Sequence, residues 1–188
     1  MSGQEHGGHE GNGGMSYWRF AAMIATSVVV MFGIKYLSTY QWSHVWYSET
    51  RTYMALMMGG AMAVIMLGFM LGMYRDRRLN GAIFAGAAVL FGVSLWLVRS
   101  QATVEDPSYM RSMIPHHSIA ILTSERSQLG DYRVCTLAQE IITAQRREIA
   151  EMEWLLADIE RNGIAETAAE AEQRSVPRFE GTATRSDC

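Results

Sequence analysis

Cysteine is nearly absent, with two residues in 188, Cys135 and Cys188. Two cysteines make no zinc pattern and suggest no disulfide framework. Proline is equally scarce, at three residues, as expected of a mostly helical chain. Positive charge is not in excess: the formal net charge is −3, which argues against a nucleic-acid partner. No phosphate-binding glycine loop, nucleotide fingerprint or nucleophile–base pair is present, so a hydrolase or nucleotide enzyme finds no support. No glutamate is followed by a histidine three residues later, although di-iron bundle enzymes need Glu-x-x-His pairs.

Charge is missing from long stretches, and that absence is the most informative. The mean hydropathy is neutral, but it averages an apolar half up to Val98 and a charged half from Arg99 onward. Three runs qualify as membrane spans: about 18–37, 53–74 and 79–98. The first has an uncharged core from Phe20 to Ile34, with Arg19 and Lys35 able to snorkel at its ends. It lacks a clear cleavage site, so an uncleaved anchor is expected. The second and third carry no charge. About 20 apolar residues cross a hydrocarbon core of roughly 30 Å, and helices satisfy their own backbone there. The turn Arg75-Asp76-Arg77-Arg78 holds three arginines. The positive-inside bias places it in the cytoplasm, with the N-terminus. The loop from Ser38 to Thr52 and everything after Arg99 then lie outside. Tyr36, Tyr40, Trp42, Trp46, Tyr47 and Tyr53 crowd that outer boundary, where aromatic rings favour the interface. The expected location is a bacterial inner membrane, with the C-terminal part periplasmic.

Methionine, by contrast, is abundant, at 14 residues. Met54, Met58, Met62, Met66 and Met70 recur every four residues in the second span, with Met57 and Met73 beside them. Such a stripe stays on one side of a helix. It reads either as packing, eased by Gly59, Gly60 and Gly68, or as a soft-metal face.

Beyond Arg99, Asp106-Pro107 reads as an N-cap followed by proline at the first helical position. A helix runs to about Gln128, and Leu129-Gly130-Asp131 makes a turn. A second helix runs from about Tyr132 to Arg161 and stops at Asn162-Gly163. The pair reads as an antiparallel hairpin. The second helix carries a seam at Val134, Ala138, Ile141, Gln145, Glu148, Met152, Leu155 and Ile159. A carboxylate at the centre of a seam needs a partner. The first helix offers one: Met110, Met113 and His117 share a face, His116 flanks it, and Pro115 removes a backbone bond just before the two histidines. Imidazole and thioether together suit Cu(I) or Cu(II), with Glu148 as a ligand or as acceptor for a histidine N–H. The alternative reading of Gln145 and Glu148 is a polar patch that sets helix register. The N-terminal segment 1–15 and the tail 164–188 read as disordered.

The string Met113-Ile114-Pro115-His116-His117, followed by Ala144-Gln145, Glu148-Ile149 and Met152, resembles the family called domain of unknown function 305. The resemblance runs from about Ser100 to Ile159. The Met-rich span and Arg99-Ser100-Gln101 are similar to its membrane-anchored members. It implies a helical, ferritin-like unit, secreted or membrane-attached in bacteria, with copper binding and resistance among the associated roles. By the match, Met113, His116, His117, Gln145, Glu148 and Met152 are the candidate positions. Many members have a methionine soon after the histidine pair; here Ser118-Ile119-Ala120-Ile121 has none.

The expected fold is therefore all-α: a three-helix membrane domain over 16–99, then a two-helix hairpin over 100–163 completed by oligomerisation. A two-helix unit buries too little surface alone, so a homo-oligomer is expected. The expected partners are the lipid bilayer and a metal ion held by Met110, Met113, His116, His117, Gln145, Glu148 and Met152. The competing readings are an oligomer-forming membrane subunit without metal and, behind it, a di-iron enzyme.

Overall fold

The computed structural model describes residues 16–182. The expectation for 1–15, the end of the tail and Cys188 lie outside the described residues. Among those described there are six α-helices, one 3-10 turn and no strand. Helices α1 (Tyr17–Ile34), α2 (Glu49–Met70) and α3 (Arg77–Ser100) are each long and apolar enough to cross a membrane.

Local chemistry sets where these helices begin and end. Ser48 accepts a hydrogen bond from the Arg51 N–H, so α2 begins at Glu49 rather than at Tyr53, where the uncharged run starts. Glu49 in the first turn suits the positive end of the helix dipole. At the other end α2 stops at Met70, not Tyr74, and Tyr74 turns into a cluster with Phe20 and Leu67. Asp76 caps α3 by accepting from the N–H groups of Arg78 and Leu79. Gln101 closes α3 in the left-handed region, at φ 52°. Its side chain accepts from the Thr50 hydroxyl and so ties the end of α3 to the start of α2.

Helix α2 packs on both α1 and α3. Two adjacent glycines permit this. A methyl group on Gly59 would lie 2.7 Å from Val28 Cγ2 on α1, and one on Gly60 would lie 2.9 Å from the Ala87 carbonyl on α3. Small residues at such crossings let backbones approach. The methionine stripe lies on the α1 side. Met58 and Met62 line a crevice with Val28 and Met31, and Met66 and Met70 pack around Phe20, Leu67 and Tyr74. Met58, Met62, Met66 and Met70 thus all have packing neighbours, whereas Met73 is exposed.

Helices α4 (Asp106–Arg126) and α5 (Tyr132–Asn162) pack against each other. The N-cap of α4 is Glu105, not Asp106, which forms the first turn with Pro107. Helix α4 continues through the fully buried Pro115. Asp131 caps α5 through the Arg133 N–H, and Gly163 ends it at φ 77°. The buried line of α5 is Cys135, Ala138, Ile142, Ile149, Met152 and Leu156. The expected seam is thus rotated: Val134 is 47% exposed, and the Glu148 side chain keeps 37% exposure at the shoulder. Burying a carboxylate is costly, so the helix turns its apolar line inward instead. Cys135 is disulfide-bonded, a cross-link that two isolated cysteines did not suggest.

The tail differs from a structureless one. A short α6 (Ala168–Gln173) follows, and Arg174 pairs with Asp158 at 2.8 Å. Further on, Arg146 of α5 donates to the Thr182 carbonyl.

The chain between α1 and α2 docks on α4 and α5. Tyr40 and Trp46 pack against the cluster of Met110, Ile114, Ile121, Ile149, Met152 and Leu156. These two aromatics, expected at a membrane boundary, help cover an apolar core. Trp42 and Tyr47 remain exposed.

Candidate metal centre

His117 and Glu148 are the expected site residues that the structure brings into polar contact. His117 Nδ1 lies 3.3 Å from Glu148 Oε2. The nitrogen is buried and has no hydrogen-bond partner. Burial lowers the His117 pKa below its ordinary value; Glu148 opposes the shift and His116 adds to it. The ring is therefore neutral at physiological pH, with lone-pair density available to an electrophile. His116 is exposed, and its ring centre stands 6.2 Å from that of His117, tilted by 58°.

The methionines sit elsewhere in the same interface. Met110 and Met152 are buried in the apolar cluster and line a groove of about 400 Å³ with Tyr109, Leu155 and Ile159. Seven residues separate Met110 from His117 on one helix, about 10.5 Å along the axis at 1.5 Å per residue. One ion cannot take both as direct ligands in a straight helix. Met113, one turn before His117, is half-buried against the cluster and is the thioether best placed by register. Gln145 is half-buried, one turn before Ile149 on the inward side of α5. The seven expected residues thus divide into a histidine–carboxylate level and a methionine level. Among the described residues, no group of three or more His, Cys, Asp and Glu side chains clusters as a metal site.

An orphaned buried imidazole nitrogen facing a carboxylate fits a positively charged ligand, whether a proton or a metal ion. The chemistry of the donors fits a metal in part: one imidazole, one carboxylate and one thioether at adjacent turns are compatible with copper.

Sequence reasoning missed a second polar centre. Ser118, fully buried, receives the Tyr40 N–H at 2.7 Å, and His44 Nδ1 lies 2.9 Å from the same hydroxyl. Nearby, Arg146 donates to Glu125 at 2.5 Å and lies over the Tyr40 ring. A hydrogen bond to Glu125 raises the Tyr40 pKa. The only sequence signal for this centre was a histidine and a tyrosine in a short connection between two apolar runs.

The sequence profile of the family described as Domain of unknown function (DUF305) matches residues 106–188. The chain is also 30% identical over 145 residues to uncharacterized protein L153 of Acanthamoeba polyphaga mimivirus, covering 72% of this chain and 91% of the relative. The chain belongs to the DUF305 family. The DUF305 match begins at Asp106, the first residue of α4, and takes in His116, His117, Gln145, Glu148 and Met152. The similarity to the viral protein is too long to fit within the DUF305 region alone, so it includes residues outside that match. No solved structure matches this chain.

Proposed function

We propose that this DUF305 protein is a membrane-anchored metal-binding protein whose α4–α5 unit holds copper at His117. The observation that carries the reading is the buried His117 Nδ1, neutral, without a hydrogen-bond partner and 3.3 Å from Glu148 Oε2. His117 and Glu148 would hold the ion, and Met113 would supply a soft donor that binds without losing a proton. The ion is the cargo of tolerance or delivery. Met110 and Met152 support the site by packing.

The anchor is the set α1, α2 and α3. Outward placement of α4 and α5 is favoured by the disulfide at Cys135, because disulfides persist in oxidising compartments. It agrees with the arginine-rich turn on the cytoplasmic side. In a bacterial inner membrane, α4 and α5 then face the periplasm. Contacts of Glu125 with Arg146 and of His117 with Glu148 support antiparallel pairing of α4 and α5. Tyr132, Val134 and Leu137 are exposed along the start of α5. This apolar strip suits a second copy, which would complete a ferritin-like four-helix bundle.

The test is a competition titration of the full chain in detergent micelles against a colorimetric Cu(I) chelator. Micromolar or tighter binding is expected, weakened more than about tenfold by His117→Ala or Met113→Ala. Unchanged affinity in both variants rejects the reading.

A further inference from the structure

A cleft of about 220 Å³ opens between the α1–α2 connection and α5, lined by Tyr40, Gln41 and His44 on one side and by Arg146 and Glu153 on the other. We propose that this cleft is a second metal site, taking a borderline divalent ion of the Zn2+ class between the His44 imidazole and the Glu153 carboxylate. Gln41 and water would complete the shell.

The first support is the state of His44. The residue is only 8% exposed and lines the cleft. One nitrogen, Nδ1, is held by the Ser118 hydroxyl at 2.9 Å. The other, Nε2, has no hydrogen-bond partner among the described residues. An imidazole steadied through one nitrogen with the other open is the arrangement metal-binding histidines adopt. Burial lowers the His44 pKa, so the open nitrogen carries a lone pair rather than a proton at neutral pH.

The second support is charge. Arg146 is committed to Glu125, to the Tyr40 hydroxyl and to the Thr182 carbonyl. Glu153 makes no hydrogen bond or ion pair among the described residues. The unmatched charge of the cleft is therefore negative, which draws a cation and repels an anion. The donors are nitrogen and oxygen without sulfur, a set that suits Zn2+, Ni2+ or Cu2+ rather than Cu(I). The two ligands come from separate elements, so an ion here would also fasten the connection to α5 and stabilise the docked state by mass action.

The test uses the full chain in detergent micelles and Zn2+ alone, titrated in competition with a chromophoric chelator. His44→Asn keeps a polar atom near Ser118 and removes Nε2; Glu153→Gln keeps the shape and removes the charge. Each is expected to lower Zn2+ affinity by more than about tenfold, while His117→Asn leaves it unchanged. X-ray absorption of the zinc-loaded protein should show a nitrogen and oxygen shell with one imidazole and no sulfur. Should His44→Asn fail to fold, Glu153→Gln, at the exposed rim, decides. Wild-type Zn2+ affinity in Glu153→Gln overturns the inference. So does loss of Zn2+ binding in His117→Asn alone, which would assign the ion to the first site. Failure of copper binding at His117 leaves this inference standing if the Glu153 effect persists.

Discussion

Removing a single oxygen atom should undock the chain between α1 and α2. In Ser118→Ala, the Tyr40 N–H and His44 Nδ1 both lose their partner. Ser118 is fully buried, so water does not readily replace it. An orphaned buried polar group costs about 1–3 kcal/mol. Two such groups cost about 2–6 kcal/mol, and alanine returns roughly 0.5 kcal/mol through helix propensity. The expected loss is therefore about 2–5 kcal/mol, a large share of a typical stability of about 5–15 kcal/mol. Ser112→Ala is the control. Its hydroxyl donates only to the Tyr109 carbonyl, on an exposed turn, so the change should stay within about 0.5 kcal/mol. Denaturant unfolding in micelles reads the stability, and hydrogen exchange of the Tyr40 amide reads the docking. Equal stability of the two variants, with Tyr40 protection unchanged, would refute the role given to Ser118.

Acid should destabilise the metal-free protein. His44 and His117 both have native pKa values lowered by burial from about 6.5, so the unfolded chain binds protons that the native chain does not. Their contribution is full above about pH 6.5 and is lost as pH falls toward the lowered values; His44→Asn and His117→Asn should each flatten that slope in unfolding measured from pH 7.5 to 5. Arg146→Ala removes the cation from a largely buried pair and should cost about 3–5 kcal/mol, whereas Glu125→Gln with Arg146→Met should be near neutral by the same unfolding assay. Gly60→Ala should cost about 1–3 kcal/mol in bicelle unfolding, because its methyl meets backbone atoms of Ala87 and Phe91. Gly59→Ala should cost less, because the tip of Val28 can rotate away.

Much of the architecture was legible because it rests on local chemistry. Uncharged runs marked the three long apolar helices, and Asp131 and Gly163 marked the ends of α5. The register of α5 was not legible. Placing Gln145 and Glu148 in the seam forced Val134 inward, while the folded chain prefers Cys135, Ile142 and Ile149 there. A one-residue rotation is invisible to a pattern that counts apolar and polar positions equally. The His117–Glu148 pairing was legible, because a half-buried carboxylate needs company. The Ser118 centre was not, since its partners lie 74 and 78 residues away in the chain. The docking of Tyr40 and Trp46 on the core was hidden for the same reason: a sequence shows an aromatic beside an apolar run, not which surface it meets.

Helices α4 and α5 are joined to the apolar ones covalently through residues 101–105, by contact of α2 with α4, and where Ser118 and the apolar cluster hold the α1–α2 connection. A single tether would leave α4 and α5 free to swivel. The added contacts hold the segment bearing His117 in particular, because Ser118, the next residue in α4, is the one that bonds the α1–α2 connection.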